Sequence, residues 1–300
     1  MAAILVIGIW LAIALNRVAE GIVARRPIVP LLAQALWQPV FIAAGQLLQQ
    51  NVRTERPDQL NRILGPALYL ALAVVGLLLV PLSSGQAIID LPTGIVLWGA
   101  VETLMVVAVF LHGWSANAPF PLMAAYRYVA IGLPVMLISM FVLIGAALPA
   151  QSLSVPDIIE AQRPLWNVVR QPLGLPLFIL LGLSISLRGP FDYADSADLA
   201  GGTQSDTSGS SALVWQLARH AMLVAFAAMA SAMFLGGYLG PWLPGPCWLL
   251  LKTALVLVIM AGVGQLFARM PPARMLNLIW TVLLPLSFLD LLVAGIVELS

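Results

Sequence analysis

The chain has 300 residues, of which 61% are hydrophobic and only 9% charged, and its mean hydropathy is +0.99. A soluble domain carries roughly 25% charged residues, so this chain cannot cover a water-facing surface and belongs in a bilayer. A net charge of +1 speaks for no nucleic-acid partner, the single Cys247 excludes an intrachain disulfide and any cysteine-ligated centre within the chain, and His112 and His220 stand too far apart to form a ligand motif.

The opening stretch "MAAILVIGIWLAIAL" lacks a basic leader and a small-residue cleavage site, so it reads as a first span that stays in the chain. Runs approaching the ~20 apolar residues that cross a hydrocarbon core follow, and the full set is 2–15, 64–82, 91–111, 128–148, 171–187, 213–235, 247–267 and 275–297. In lipid only helices and closed barrels satisfy their own backbone groups, and the runs show no barrel-like alternation. The expected fold is an all-α membrane protein, one integral-membrane domain of about eight transmembrane helices over residues 1–300, with interfacial amphipathic helices beside them. One of these is "PIVPLLAQALWQPVFIAAGQLLQQ" (27–50), where Gln34, Gln38, Gln46, Gln49 and Gln50 make the segment too polar for a further span. The other is 154–174, which carries tryptophan and arginine suited to the headgroup layer.

Charge fixes the expected orientation. The loops 16–63, 112–127, 188–212 and 268–274 hold Arg17, Arg25, Arg26, Arg53, Arg56, Arg62, Arg127, Arg188, Arg269 and Arg274, against Arg163 and Arg170 on the other side. Cationic loops stay cytoplasmic, which puts both termini in the periplasm of a bacterial-type inner membrane. The third of these loops, within "LRGPFDYADSADLAGGTQSDTSGSS" (187–211), gathers Asp192, Asp195, Asp198 and Asp206 with no basic residue between Arg188 and Arg219. An ionisable residue inside a span costs roughly 2.5–3.5 kcal/mol on insertion scales and is normally kept for a purpose. Glu102 is either a paired or protonated carboxylate or a member of a proton path. Lys252 either snorkels to the headgroups or is a lysine kept inside its span, and His112 is either an interfacial residue or a proton carrier. Arg219 with His220 is expected to form an ion-pair site and Asp290 to reach interfacial water.

The order of motifs resembles the H-subunit family of bacterial NADH-quinone oxidoreductase, counterpart of subunit 1 of mitochondrial complex I. "HGWSANAPFPLMAAYR" (112–127) is similar to its GWxSxxxxxLLGxxR segment, and "LWNVVRQPLG" (165–174) to the stretch before its fifth span. "RGPFDYADSADLAGGTQSDTSG" (188–209) resembles a degraded form of its loop that begins R-T-P-F-D, while "LLLKTALVLV" and "NLIWTVLLPL" match its last two spans. The resemblance implies a non-redox subunit of a multi-subunit translocase, the membrane heel that docks a hydrophilic redox arm. It implies no cofactor bound by this chain alone, quinone as a substrate at the interface, iron–sulfur clusters in partner subunits, and a path that begins proton coupling. Partners are then the other membrane subunits, the cytoplasmic iron–sulfur and quinone-site subunits, and lipid. By this resemblance Gln38, Arg127, Arg188, Asp192, Asp195, Asp198, Asp206 and Arg269 belong to the quinone chamber or coupling path, the aspartates forming a negative lip.

The pattern breaks at acids. Ile185, Met136 and Arg219 stand where the family has glutamates, an acid and a lysine of the first loop fall near Ile42 and Gly45, and Pro271 replaces a second arginine after the seventh span. These departures leave two rival readings open: the equivalent subunit of a membrane-bound hydrogenase or ferredoxin-linked complex, and a structural anchor that has lost proton coupling. The orientation is checked by cysteine labelling of Ser210→Cys and Ser84→Cys, which should react from opposite sides of the membrane; reaction of both from the periplasm contradicts it.

Overall fold

The computed structural model describes residues 2–52, 54–85 and 87–299, so Arg53 lies outside the described residues. These are joined without a strand into α1 (Ala2–Val23), α2 (Ile28–Leu48), α3 (Gln59–Leu78), α4 (Gly94–Ser115) and α5 (Pro119–Ala147). Three short helices follow, α6 (Val155–Glu160), α7 (Asn167–Arg170) and α8 (Gly174–Ile185), and then α9 (Gly209–Phe234) and α10 (Gly245–Leu266). The last helix starts as α11 (Pro272–Leu278), passes through a π turn at Ile279–Leu283 and continues as α12 (Leu284–Leu299). Local chemistry sets several starts: Asp58 caps α3 by accepting from the amides of Leu60 and Asn61 at 3.1 and 3.2 Å. Pro119 opens α5, where its missing N–H would have had no partner anyway.

The bundle is organised around α9, which is buried without a break from Ala221 to Phe234 and packs against α1, α3, α8 and α10. Its alanines let neighbouring backbones approach closely, the packing that holds helices together where the surroundings are as apolar as the core. Aromatic side chains fill the remaining space, with Trp98 of α4 edge-on to Phe226 at 5.0 Å between ring centroids.

Among the described residues, eight helices are long and apolar enough to cross a membrane, but they are not the eight read from the sequence. One is α2, taken above as interfacial. Its geometry nevertheless keeps both its ends at one end of the bundle. Leu31 packs on Gly21 near the end of α1, and Gln49 and Asn51 lie against Gly209 at the start of α9, so α2 lies across that end. The run expected to be a span at 171–187 forms a helix of only 12 residues, α8, about 18 Å long at 1.5 Å per residue, between the two ends of the bundle. It is bounded by Leu173 and Ser186, and the irregular chain that follows it is acceptable because Ser186 and Leu187 are buried inside the protein. The first helix also runs past the expected boundary at 15, through Asn16, Arg17 and Glu20, to Val23.

The loops sort by end. Thr54 Oγ1 donates to Ala116 O at 2.6 Å, Asn51 Nδ2 to Ser210 Oγ at 3.1 Å, and Met270 N to Pro190 O at 3.0 Å. These bonds join all four arginine-rich loops. At the opposite end Gln162 is the fastener: its Nε2 donates to Ile158 O and Ala232 O at 3.2 and 2.9 Å, and its Oε1 accepts from Asn167 N and Gly236 N at 3.3 and 2.9 Å. Leaving a buried polar group unpaired costs roughly 1–3 kcal/mol. Gln162→Leu, which strips several at once, should therefore lower the thermal unfolding midpoint of the detergent-solubilised protein by several degrees; an unchanged midpoint contradicts this role.

Candidate functional site

A large cavity, about 1100 Å³, opens at the arginine-rich end between α1, α2 and α9. One wall is aliphatic, including Leu5, Ile9, Val40, Leu47 and Leu217. The other is the chain break after α8, together with the segment that follows α10. Leu187 there takes a left-handed backbone conformation at φ 56°, which turns the chain out of α8 and presents Arg188, Asp192 and Asp195 to the cavity.

The charged wall is built from pairs. Arg219 of α9 meets Asp195 at 2.8 Å with both side chains almost fully buried, and it also donates to the carbonyls of Ser186 and Leu187. Asp195 in turn accepts from Thr203 N at 3.0 Å, Thr203 Oγ1 at 2.6 Å and Gln204 Nε2 at 2.9 Å, which saturates the carboxylate. Asp192 pairs with Arg269 at 3.1 Å. Burial pushes the Asp192 carboxyl up, and the Arg269 guanidinium opposes it. Outside the cavity, Asp198 pairs with Arg127 at 2.9 Å and accepts from Ser196. Arg127 chiefly, and then Ser196, hold its carboxyl down at about 2.

Three of the four aspartates that the resemblance implies as a negative lip are thus paired with arginines. Each of three aspartates is matched by an arginine from a different helix or loop, and along the chain those arginines are too distant to be seen as partners. Among the described residues Asp206 has only Ser205 Oγ at 3.3 Å. Of the expected site residues, the cavity brings together Arg188, Asp192, Asp195, Arg219 and Arg269. It does not include Gln38, whose neighbour Pro39 lines it instead, nor Arg127, Asp198, Asp206, Glu102 or Lys252. Glu102 is buried between α4 and α5, accepting from Trp98 Nε1 at 2.6 Å and Ser139 Oγ at 2.8 Å. Lys252 does not snorkel: its Nζ donates to Leu239 O at 2.6 Å and lies 4.5 Å from the Trp166 ring centroid. Asp290, expected at interfacial water, is buried against Gln171 at 2.5 Å. His112 is buried, not exposed at the interface, and stacked on Trp215 with ring centroids 3.9 Å apart.

Sequence reasoning missed the mouth pair, Arg17 with Glu20 at 2.9 Å, because the first span was ended too early. The helical i,i+3 spacing was the available signal. It also missed three buried tyrosines, Tyr69, Tyr128 and Tyr193, which no motif marked.

The NADH dehydrogenase family model matches residues 1–295. An H subunit of NADH-quinone oxidoreductase from Rhodopseudomonas palustris (strain HaA2) is 35% identical over 244 residues, 81% of this chain and 76% of that protein. The corresponding proteins of Brevibacillus brevis and Geobacillus kaustophilus are each 27% identical, over 87% and 96% of this chain and 80% and 91% of their own. The chain belongs to the H-subunit family of NADH-quinone oxidoreductase.

It is a divergent member, and its departures have a structural form. At Ile185, read above as standing where the resemblance has a glutamate, the side chain offers no polar group. Its backbone carbonyl accepts from Tyr69 and Tyr128 hydroxyls at 3.1 and 2.8 Å instead. Arg219, read above as standing where the resemblance has an acid, is the cation that holds Asp195. Removing one partner of such a buried pair costs about 3–5 kcal/mol. Asp195→Ala should therefore raise amide hydrogen exchange across 195–205 at least tenfold, well beyond the effect of Asp198→Ala. The Asp198 contribution should be full above the unfolded carboxylate value of about 3.9 and fade as pH falls toward about 2, because its folded value lies below the unfolded one. Equal exchange in the two variants contradicts the ranking.

Proposed function

We propose that this chain is the membrane heel of an NADH-quinone oxidoreductase-type complex and that the cavity between α1, α2 and α9 is the chamber through which quinone passes. The observation that carries the reading is the cavity's two-sided wall: aliphatic where the first half of α1 and α2 form it, charged where Arg17 and Glu20 at the end of α1, the 188–195 segment, Arg219 and Arg269 form it. A quinone has the same division, a hydrocarbon tail and a polar ring. Exposed lining residues Val6, Val40 and Leu47 give the tail a route from lipid, and α2, lying across the bundle end, forms one side of that route.

In this reading the arginine-rich end is cytoplasmic and carries the docked hydrophilic arm, whose iron–sulfur cluster delivers two electrons to the quinone ring as two protons are taken up. This chain carries no electrons. Its residues orient the ring, exclude water along the aliphatic wall and hold charge at the ring end. Quinone affinity is supported by the names of the relatives, which are quinone oxidoreductase subunits, and this favours the reading over a hydrogenase-linked complex. Glu102, buried and hydrogen-bonded to Trp98 and Ser139, is the carboxylate we assign to the coupling path. Ile185 and Met136 leave that path with fewer acids than the family pattern.

The chamber is tested by blocking it. Ala43→Trp places an indole in the cavity wall from α2 and should lower quinone-dependent turnover by roughly tenfold or more, about 1.4 kcal/mol in the barrier. Electron transfer from donor to a water-soluble acceptor on the arm should persist, and the complex should remain assembled. Asp192→Asn should also lower quinone turnover in an assembled complex. Full quinone turnover in both variants would leave a structural anchor as the better reading.

A further inference from the structure

The charges of the cavity wall do not balance. Four arginines line it, Arg17, Arg188, Arg219 and Arg269, against three carboxylates, Glu20, Asp192 and Asp195. Each carboxylate is already in an ion pair, Glu20 with Arg17 at 2.9 Å, Asp192 with Arg269 at 3.1 Å and Asp195 with Arg219 at 2.8 Å. His220 offers no negative charge either, since its Nδ1 meets Gln216 O at 2.7 Å. Arg188 is left over. Among the described residues it has no ion pair, and its Nε is buried without a hydrogen-bond partner.

This is an expensive arrangement for a protein to leave as it is. An arginine stays charged under nearly all conditions, and a charge withdrawn from water needs a counter-charge and hydrogen bonds to offset its desolvation. Burial chiefly, and then the neighbouring Arg219, weigh against the Arg188 cation, and Tyr69, Glu20 and Asp195 offset them only in part. The carboxylates that favour the Arg188 cation, Glu20 and Asp195, are each already paired with another arginine. A neutral carbonyl could accept one hydrogen bond from Arg188 but would leave its charge unmatched. A carboxylate or phosphate accepts two and cancels it, the geometry for which a guanidinium is suited. The aliphatic wall opposite, exposed at Val40 and Leu47, accommodates a hydrocarbon chain and lets it enter from lipid.

We propose that the cavity binds an anionic amphiphile, a carboxylate or phosphate headgroup on a hydrocarbon tail, with its oxyanion on Arg188. The proposal rests on the reading of this cavity as a chamber for lipid-borne ligands, and it adds a second ligand class to it. Because the head would sit where a quinone ring passes, such an amphiphile would compete with quinone and tie turnover to the anionic lipid content of the membrane.

The test uses the assembled complex purified in a mild non-ionic detergent, with binding followed by native mass spectrometry. Oleate is compared with methyl oleate, which keeps the tail and removes the charge, and dilauroyl phosphatidylglycerol with dilauroyl phosphatidylcholine. Oleate or phosphatidylglycerol should bind at least roughly tenfold more tightly than its uncharged or zwitterionic counterpart, the effect of one charge-assisted hydrogen bond. Which of the two does so identifies the headgroup. Arg188→Gln should abolish the preference, and Arg188→Lys should retain much of it. Equal affinity for oleate and methyl oleate, together with equal affinity for the two phospholipids, overturns the proposal, and this comparison needs no variant should Arg188→Gln fail to assemble. An anion preference that survives Arg188→Gln also overturns it. Binding of a short-chain quinone is measured separately on the unaltered complex. Its absence, with the anion preference intact, removes the quinone reading and leaves this one.

Discussion

The contact on which the cavity end of the molecule depends is the buried pair between Arg219 and Asp195. The chain leaves helical geometry after α8, and in a low-dielectric setting the carbonyls freed there need donors. Arg219 supplies them to Ser186 and Leu187 while binding Asp195. Asp195 then draws in Thr203 and Gln204, eight and nine residues further on. One guanidinium thus fixes the end of one helix to the loop that follows and to the helix after that. The wall of the cavity exists because this cross-link holds an otherwise irregular stretch of chain in one place.

Much of the fold was legible in the sequence because the bilayer imposes a coarse rule that composition obeys. Long apolar runs become helices, and α3, α4, α5, α9, α10 and the α11–α12 helix all form where the runs lie. Hydrophobicity was less informative where tertiary position decides. Ile28–Leu48 and Gly174–Ile185 exchange roles relative to a reading by length, since the first is held across one end by contacts with Gly21 and Gly209 and the second is shortened inside the bundle. Glutamines in α2 carried that information; nothing in the apolar run of α8 did.

The site was legible as a set of residues and illegible as a circuit. Five of the residues singled out do meet in the cavity. The loop read as a store of negative charge because only local neighbours were visible. Its partners Arg127, Arg219 and Arg269 arrive from α5, α9 and the turn after α10, and an aspartate paired at about 3 Å behaves differently from one facing water. Buried tyrosines escaped notice for the complementary reason. A phenol in an apolar run looks like ordinary core until a carbonyl such as that of Ile185 is found opposite its hydroxyl.

The position of α2 has a mechanical consequence. A helix with both ends at one end of the bundle, packed mainly on α1 and touching α9, is braced from one side only; its other side, with Leu36, Trp37 and Phe41 exposed, rests on whatever surrounds it. Where lipid covers that side, lateral pressure and acyl-chain order press on one jaw of the cavity, while the opposing jaw is clamped by ion pairs. The width of the opening is then partly a property of the membrane, so that the lipid acts as an adjustable part of the aperture as well as a solvent for the protein.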